Sequence, residues 1–419
     1  MICAAHKRKV TLTRSRERFI NFCLAAASLV SGALLVEGGS RVYRVRYPHP
    51  PNNRYSFRLQ QPAPYQGAWY FSSEFVDESF RQPNGWFIRP NTRLIIPGDF
   101  HGKFINIEHG QRRTTDSPAL VLHRVFVLGG SAIYGAEVPD NETIPSHLQR
   151  FLGKLQAGWR VENCGSISVT TAQQLELLKT LPVQPGDVVV FYDGVNDVYQ
   201  GIYNGDPSGW VAGENRKQLQ GAGPFKALLT RINAKYAACK LQSYSAFVGT
   251  VMGDAVNGRN LVRKPHLDDA ERVAWLARQT AEVFRANLQE AGRFAHQRGA
   301  AFVHFLQPQI FAGARRTPYE ATVVSDYYIN PNGLETAFMA GYPLLRQAMS
   351  SLPDTPSFDL SGILDDRAPG EEFYLDFCHV NHAANRRIAA AIGERLLTSS
   401  AGVYSRWTLS DRSAGRHFR

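Results

Sequence analysis

Four short segments of this 419-residue chain carry side chains able to do chemistry together. Leu128-Gly129-Gly130-Ser131-Ala132-Ile133-Tyr134-Gly135 sets a serine behind two glycines at the end of an apolar run. Glycine permits the tight turn there and leaves the hydroxyl exposed. Asn163-Cys164-Gly165-Ser166 offers a glycine whose backbone can approach a ligand and present its N–H. Tyr192-Asp193-Gly194-Val195-Asn196-Asp197 puts an asparagine amide just past a second apolar run. Asp376-Phe377-Cys378-His379 spaces a carboxylate three residues from an imidazole, so that the first can orient the second and stabilise its charged form. A neutral hydroxyl needs a base before it attacks a carbonyl, and the oxyanion that develops needs preorganised donors. The four segments supply candidates for both.

Each segment alone also has a plain reading. These are a Gly-Gly-Ser turn, a strand-to-helix turn, a loop capped by Asx turns, and a capping Asp beside an unrelated His. The first is not a phosphate loop, since no Gly-Lys-Ser or Gly-Lys-Thr follows, and it lacks the G-x-S-x-G pattern.

The elements that would position these segments alternate in type. Arg124–Leu128 reads as a strand, about Glu142 to Leu155 as a helix, Arg160–Asn163 as a weak strand and Thr171–Thr180 as a helix. Asp187–Tyr192 is Val-rich and bounded by Pro-Gly and Asp-Gly, a buried strand. Val273, Leu276, Thr280, Phe284, Leu288, Ala291 and Phe294 fall at helical spacing, with Gly299 placed to end that helix. Ala301–Leu306 is a further strand, and Asn385–Leu397 the last helix. Such alternation implies right-handed crossovers and a parallel sheet covered on both faces, a three-layer α/β/α sandwich. Ligands bind beyond the carboxyl ends of such strands, and three of the four segments follow strands directly.

The net charge of +11 invites a nucleic-acid reading, but its distribution argues against one. Residues 1–46 hold nine Lys or Arg against two Glu, and Arg406, Arg412, Arg416 and Arg419 face only Asp411 in the tail. Between these ends the body is near neutral. The basic N-terminus adjoins an apolar run, Phe19 to Val36, that nearly crosses a ~30 Å hydrocarbon core. Its upstream flank is the more basic. The positive-inside rule then expects residues 1–18 in the cytoplasm, 19–36 as a signal anchor in the inner membrane, and the rest outside it. Small residues at Ser31–Ala33 leave a cleaved signal peptide, and so a secreted protein, as the alternative.

Residues 37–119 read as a linker and a small β-rich extension, 120–400 as the main domain with an insertion over 201–265, and 401–419 as a basic tail. Cys164 and Cys378 each adjoin a motif residue. They read as small buried apolar residues, with a pairing left open for an exported protein.

The order Ser, Gly, Gly-x-Asn-Asp and Asp-x-x-His over residues 120–400 resembles the SGNH/GDSL hydrolase superfamily, in a Gly-Gly-Ser variant with Gly130 where the family has Asp. The resemblance implies Ser131 as nucleophile, His379 as general base and acid, and Asp376 as its orienting carboxylate. It also implies an oxyanion hole from the N–H groups of Ser131 and Gly165 and the side chain of Asn196, with neither metal nor cofactor. Tyr134, Asp193, Asp197 and the Gln307-Pro308 pair are candidates to line the cleft. His382 reads as an exposed helix-start residue and His304 as structural.

The expected substrate is an acyl, acetyl or short-chain ester of an extracytoplasmic carbohydrate or lipid. Trp210, Tyr236 and Tyr244 of the insertion are candidates to stack on sugar rings. Two rivals stand beside hydrolysis: an O-acetyltransferase of an exported polysaccharide with the same residues, and a non-catalytic polysaccharide-binding module. The sequence leaves protein partners unknown.

Overall fold

A computed structural model describes residues 2–46, 63–80, 86–88, 94–155, 158–210, 263–313, 316–325 and 330–398. By contacts the chain divides into two units, one comprising 1–53 with 223–258 and the other 54–222 with 259–419. The first contains helix α1 (Ile2–Arg46), whose stretch Arg16–Gly39 is long and apolar enough to cross a membrane. No other described helix is.

The second unit begins with α2 (Ser73–Phe80) and an antiparallel pair, β1 (Trp86–Ile88) with β2 (Ile95–Pro97). Three short strands follow: β3 (Phe100–His101), β4 (Asn106–Glu108) and β5 (Gln111–Arg112). The alternating part runs through β6 (His123–Gly129), α3 (Ser131–Tyr134), α4 (Ile144–Gly153), β7 (Trp159–Gly165), α5 (Thr171–Leu178) and β8 (Val188–Asp193). It continues with α6 (Val195–Val198), which passes into a π turn at Tyr199–Tyr203. Then come α7 (Ala270–Gln297), β9 (Ala301–Leu306), α8 (Pro318–Ser325), α9 (Leu334–Ser350), β10 (Ser357–Asp359) and α10 (His382–Thr398).

Eight strands form one sheet in the order β10-β9-β8-β6-β7-β5-β4-β3. The first five are parallel, and β5, β4 and β3 are added antiparallel at the β7 edge. Helices α4 and α10 pack together on one side, and α7 packs with α5 and α9 on the other, giving the three layers expected. Every residue of β8 is buried, as a central parallel strand covered on both faces must be. The apolar stripe of α7, from Val273 through Leu276, Phe284 and Leu288, lies in the same core. Gly299 adopts φ 72° just past its end.

The chain leaves β6 for β7 on one side and then crosses to β8 on the other. That reversal makes the carboxyl end of β6 a topological switch point, where open α/β sheets leave a crevice.

Two observations depart from expectation. Of the strands in the stretch read as a small β-rich extension, β3, β4 and β5 join the main sheet while β1 and β2 form a two-stranded sheet of their own, all within the second unit. A second apolar cluster ties them inward, with Tyr65, Tyr70, Phe75, Phe104 and Ile107 packed against Tyr134, Val138 and Leu375. Helix α9 and the edge strand β10 went unread, one interrupted by Pro343 and the other only three residues long. Most of the 201–265 insertion, including Tyr236 and Tyr244, and the tail 401–419 lie outside the described residues.

Candidate active site

The serine sits where β6 ends. Gly130 is extended and caps α3, and Ser131 is its first helical residue. Both preceding glycines are dictated by contact. A Cβ at Gly129 would fall 2.4 Å from Ile133 Cγ1 and 2.7 Å from the Tyr192 carbonyl oxygen. One at Gly130 would fall 2.3 Å from Asn196 Nδ2. Here the asparagine amide lies directly against the serine turn, and a side chain at 130 would have to displace it. As the first residue of a helix, Ser131 presents an N–H with no intrahelical acceptor.

The Asp-x-x-His segment is the tip of a small hairpin. Tyr374 bridges Val380, the Leu375 N–H donates to the His379 carbonyl at 2.8 Å, and the Asn381 N–H donates to the Phe373 carbonyl at 2.9 Å. Within the tip, Asp376 Oδ1 accepts the N–H groups of Cys378 (2.9 Å) and His379 (2.7 Å). The second oxygen of Asp376 is 2.7 Å from His379 Nδ1. The far ring nitrogen, Nε2, is 2.7 Å from Ser131 Oγ. Residues 248 apart in sequence thus meet in one hydrogen-bonded line, with Asp376 1% and His379 9% exposed. If Nδ1 carries the proton it shares with the carboxylate, Nε2 is the acceptor facing the hydroxyl.

The supports come from β9 and the loop before α9. Gln307 Nε2 donates to the Cys378 carbonyl (3.3 Å), the Ile310 N–H donates to the Phe377 carbonyl (2.9 Å), and Asn330 Oδ1 accepts the Phe377 N–H (3.1 Å). Gln307 therefore holds the back of the histidine turn rather than lining the cleft.

The donors are arranged differently from expectation. Asn196 is half-buried beside Ser131, and its Nδ2 donates one proton to the Val169 carbonyl at 2.9 Å. Its other amide proton is not used by that bond. The Gly165 N–H, by contrast, donates to Asn163 Oδ1 at 3.0 Å. Gly165 pairs with Gly129 across the sheet, and a Cβ there would fall 2.1 Å from the Tyr134 nitrogen. In this geometry its backbone packs closely behind the serine turn, and the N–H expected in the oxyanion hole is engaged by Asn163. The wall beyond it is the 166–170 loop, where Ser168 is exposed at φ 55° just before buried Val169. A non-glycine residue in that region is uncommon and clusters at functional sites.

Other candidates lie away from the cleft. Tyr134 is buried in the second apolar cluster. Asp193 is buried and 2.9 Å from His304 Nε2, so His304 is structural, as read. Burial raises the Asp193 carboxyl although His304 opposes the shift. Asp197 accepts both the N–H (3.0 Å) and the hydroxyl (2.6 Å) of Thr171, which anchors the start of α5. Burial first, and then Asp193, push its carboxyl up to about 7. His382 is half-buried rather than exposed, 3.4 Å from the Tyr70 hydroxyl. Cys164 and Cys378 are both buried and in no disulfide. Trp210 is half-buried.

Asp376, Cys378 and His379 bring ligand-type atoms within 4.8 Å of one another. The carboxylate and Nδ1, however, stand at 2.7 Å, a hydrogen-bond spacing and not the ~3.3 Å that two ligands keep around a tetrahedral ion with bonds of about 2.0–2.1 Å. The sequence did not reveal the hydrogen bond from Gly165 to Asn163, nor the contacts of Asn330 and Arg112. Only Asn163, two residues before a motif glycine, carried a local signal.

No protein-family model matches the chain, and no curated protein matches it. Solved structures similar to it include a lipolytic protein of the G-D-S-L family from Veillonella parvula, at 11% identity and TM-score 0.34 over 66% of this chain and 99% of that one. A lipase/acylhydrolase from Enterococcus faecalis matches at 12% identity and TM-score 0.36, over 66% and 95%. A carbohydrate acetylesterase family member from Sinorhizobium meliloti matches at 14% and 0.33, over 67% and 100%. The α/β fold with its mostly parallel central sheet stands on the chain's own strand order.

Proposed function

We propose that this chain is a serine-dependent ester hydrolase of the SGNH/GDSL type, held at a membrane by residues 19–36 and acting outside the cytoplasm. The observation that carries the reading is the unbroken line from Ser131 Oγ through His379 to Asp376, with 2.7 Å at each step. In the reaction, Ser131 Oγ attacks the ester carbonyl while its proton passes to His379 Nε2. Asp376 stabilises the imidazolium that results. The tetrahedral oxyanion is met by the Ser131 N–H and by the second amide proton of Asn196. Collapse expels the alcohol, which takes the proton from Nε2 and leaves an acyl group on Ser131. Water then attacks that ester and gives its proton to His379 Nε2, which passes it to Ser131 Oγ as the acid leaves and the serine hydroxyl is restored.

The anchor rests on the long apolar helix over Arg16–Gly39 and on the more basic flank before it. The favoured substrate class is an acetyl or short-chain ester of an extracytoplasmic carbohydrate or lipid.

Ser131→Ala tests the reading. Full-length protein in detergent should hydrolyse p-nitrophenyl acetate, and the variant should lose that activity with its melting temperature unchanged. A variant that hydrolyses at the wild-type rate sinks the assignment.

A further inference from the structure

Arg112 belongs to none of the four motif segments, yet its side chain is 0% exposed. A buried guanidinium is costly unless its donors are met. Nε donates to Asp140 Oδ1 at 2.9 Å. Nη1 donates to the carbonyls of Gly135 (2.6 Å) and Tyr134 (3.3 Å), and Nη2 to that of Val138 (2.7 Å). The group also lies 5.1 Å over the Tyr134 ring. Asp140 is itself fixed by Asn106, whose N–H reaches Oδ1 at 3.2 Å and whose Nδ2 reaches Oδ2 at 2.9 Å.

These contacts converge on the far end of the one-turn helix that starts at Ser131. The last carbonyls of a helix lack intrahelical donors, and a cation is favoured beside them. A single turn has little stability of its own. The segment that follows adopts φ 84° at Gly135 and φ 74° at Glu137, which a non-glycine residue rarely does. The fork of Arg112 meets three carbonyls of this strained end.

We propose that Arg112 is a positioning residue for the nucleophile: by gripping the carbonyls of 134, 135 and 138 it fixes α3, and through it the direction of Ser131 Oγ and the Ser131 N–H. The inference rests on the serine-hydrolase reading. Apolar packing of Tyr134 and Val138 against Phe104 and Ile107 supplies burial, but no direction. Lysine cannot replace the function, since a single ammonium cannot span three carbonyls and a carboxylate with a planar fork.

The test is Arg112→Lys in the full-length protein, with kcat and KM for p-nitrophenyl acetate, the fluorophosphonate labelling rate and the melting temperature. The expected result is a folded variant whose kcat and labelling rate both fall ~10–100-fold while KM moves less than about threefold. A residue that only supports the fold would lower the melting temperature and leave kcat per folded molecule unchanged. A folded variant with kcat within about twofold of wild type overturns the proposal. Should Arg112→Lys fail to fold, Asp140→Asn keeps the guanidinium and removes its ion pair. A kcat loss of about threefold or more is then expected, and an unchanged kcat overturns the proposal. Arg346→Lys, in a half-exposed pair with Asp359, is the control expected to match wild type. Wild type that neither labels nor hydrolyses defeats the hydrolase reading instead.

Discussion

The two ends of the main sheet differ in what they contribute to the serine site. On the parallel side, β6, β8 and β9 deliver Ser131, Asn196 and the supports of the histidine turn directly from their carboxyl ends. On the antiparallel side, β3, β4 and β5 present no reactive group to the serine. They grip what lies behind it instead: Arg112 holds the end of the serine helix, and Asn106 holds Asp140. The stretch before them does the same for the histidine turn, since Asn381 Nδ2 donates to the Pro64 carbonyl at 2.6 Å and Tyr70 meets His382. Ser131 and Asn196 come from strand ends and His379 from a hairpin tip, while added elements with no chemistry of their own grip their supports.

Substitutions can break or sharpen that contrast. His379→Ala, on the parallel side, removes the base and should cost ~10⁴–10⁶ in kcat with p-nitrophenyl acetate. A loss under about tenfold would mean the hydroxyl is not activated by that ring. Asn196→Ala removes one oxyanion donor and should cost ~10²–10³ in kcat. Gly165→Ala would be uninformative about donors, because its Cβ clashes with the Tyr134 backbone. At the other side, Tyr70→Phe deletes only the 3.4 Å contact to His382 and should change kcat less than about threefold. A larger loss would move the aromatic cluster from support into the reaction.

Asp197 sharpens the comparison through stability. Its carboxyl is raised to about 7, against an ordinary value near 3.9. Between these values the folded protein keeps a proton that the unfolded chain has lost, so stability falls as pH rises from about 4 to about 7. Asp197→Asn should remove that fall, as read from urea unfolding at pH 5 and pH 7.5. An unchanged pH slope would contradict the raised carboxyl.

Much of the parallel side was legible in the sequence because its signals are local. Asp187–Tyr192 is a run of buried residues bounded by turns, and the α7 stripe repeats with helical period. The relative positions of Ser131, Asn196, Asp376 and His379 followed from strand ends and a family-like order. The engagement of the Gly165 N–H was not legible, because a string of letters does not reveal that Asn163, two residues earlier, accepts it. Arg112 was equally hidden. It stands between Gln111 and exposed Arg113 in a chain rich in arginine, and strand alternation alone does not say which arginine points inward. Its partners lie 22 to 28 residues away and become visible only when the strands fold against the serine helix.

The most direct measurement is to treat the full-length protein with a fluorophosphonate and locate the adduct by peptide mass spectrometry. A single modified residue, Ser131, is expected, with labelling lost in His379→Ala. An adduct on another residue, or labelling of Ser131 that persists undiminished without His379, would contradict it.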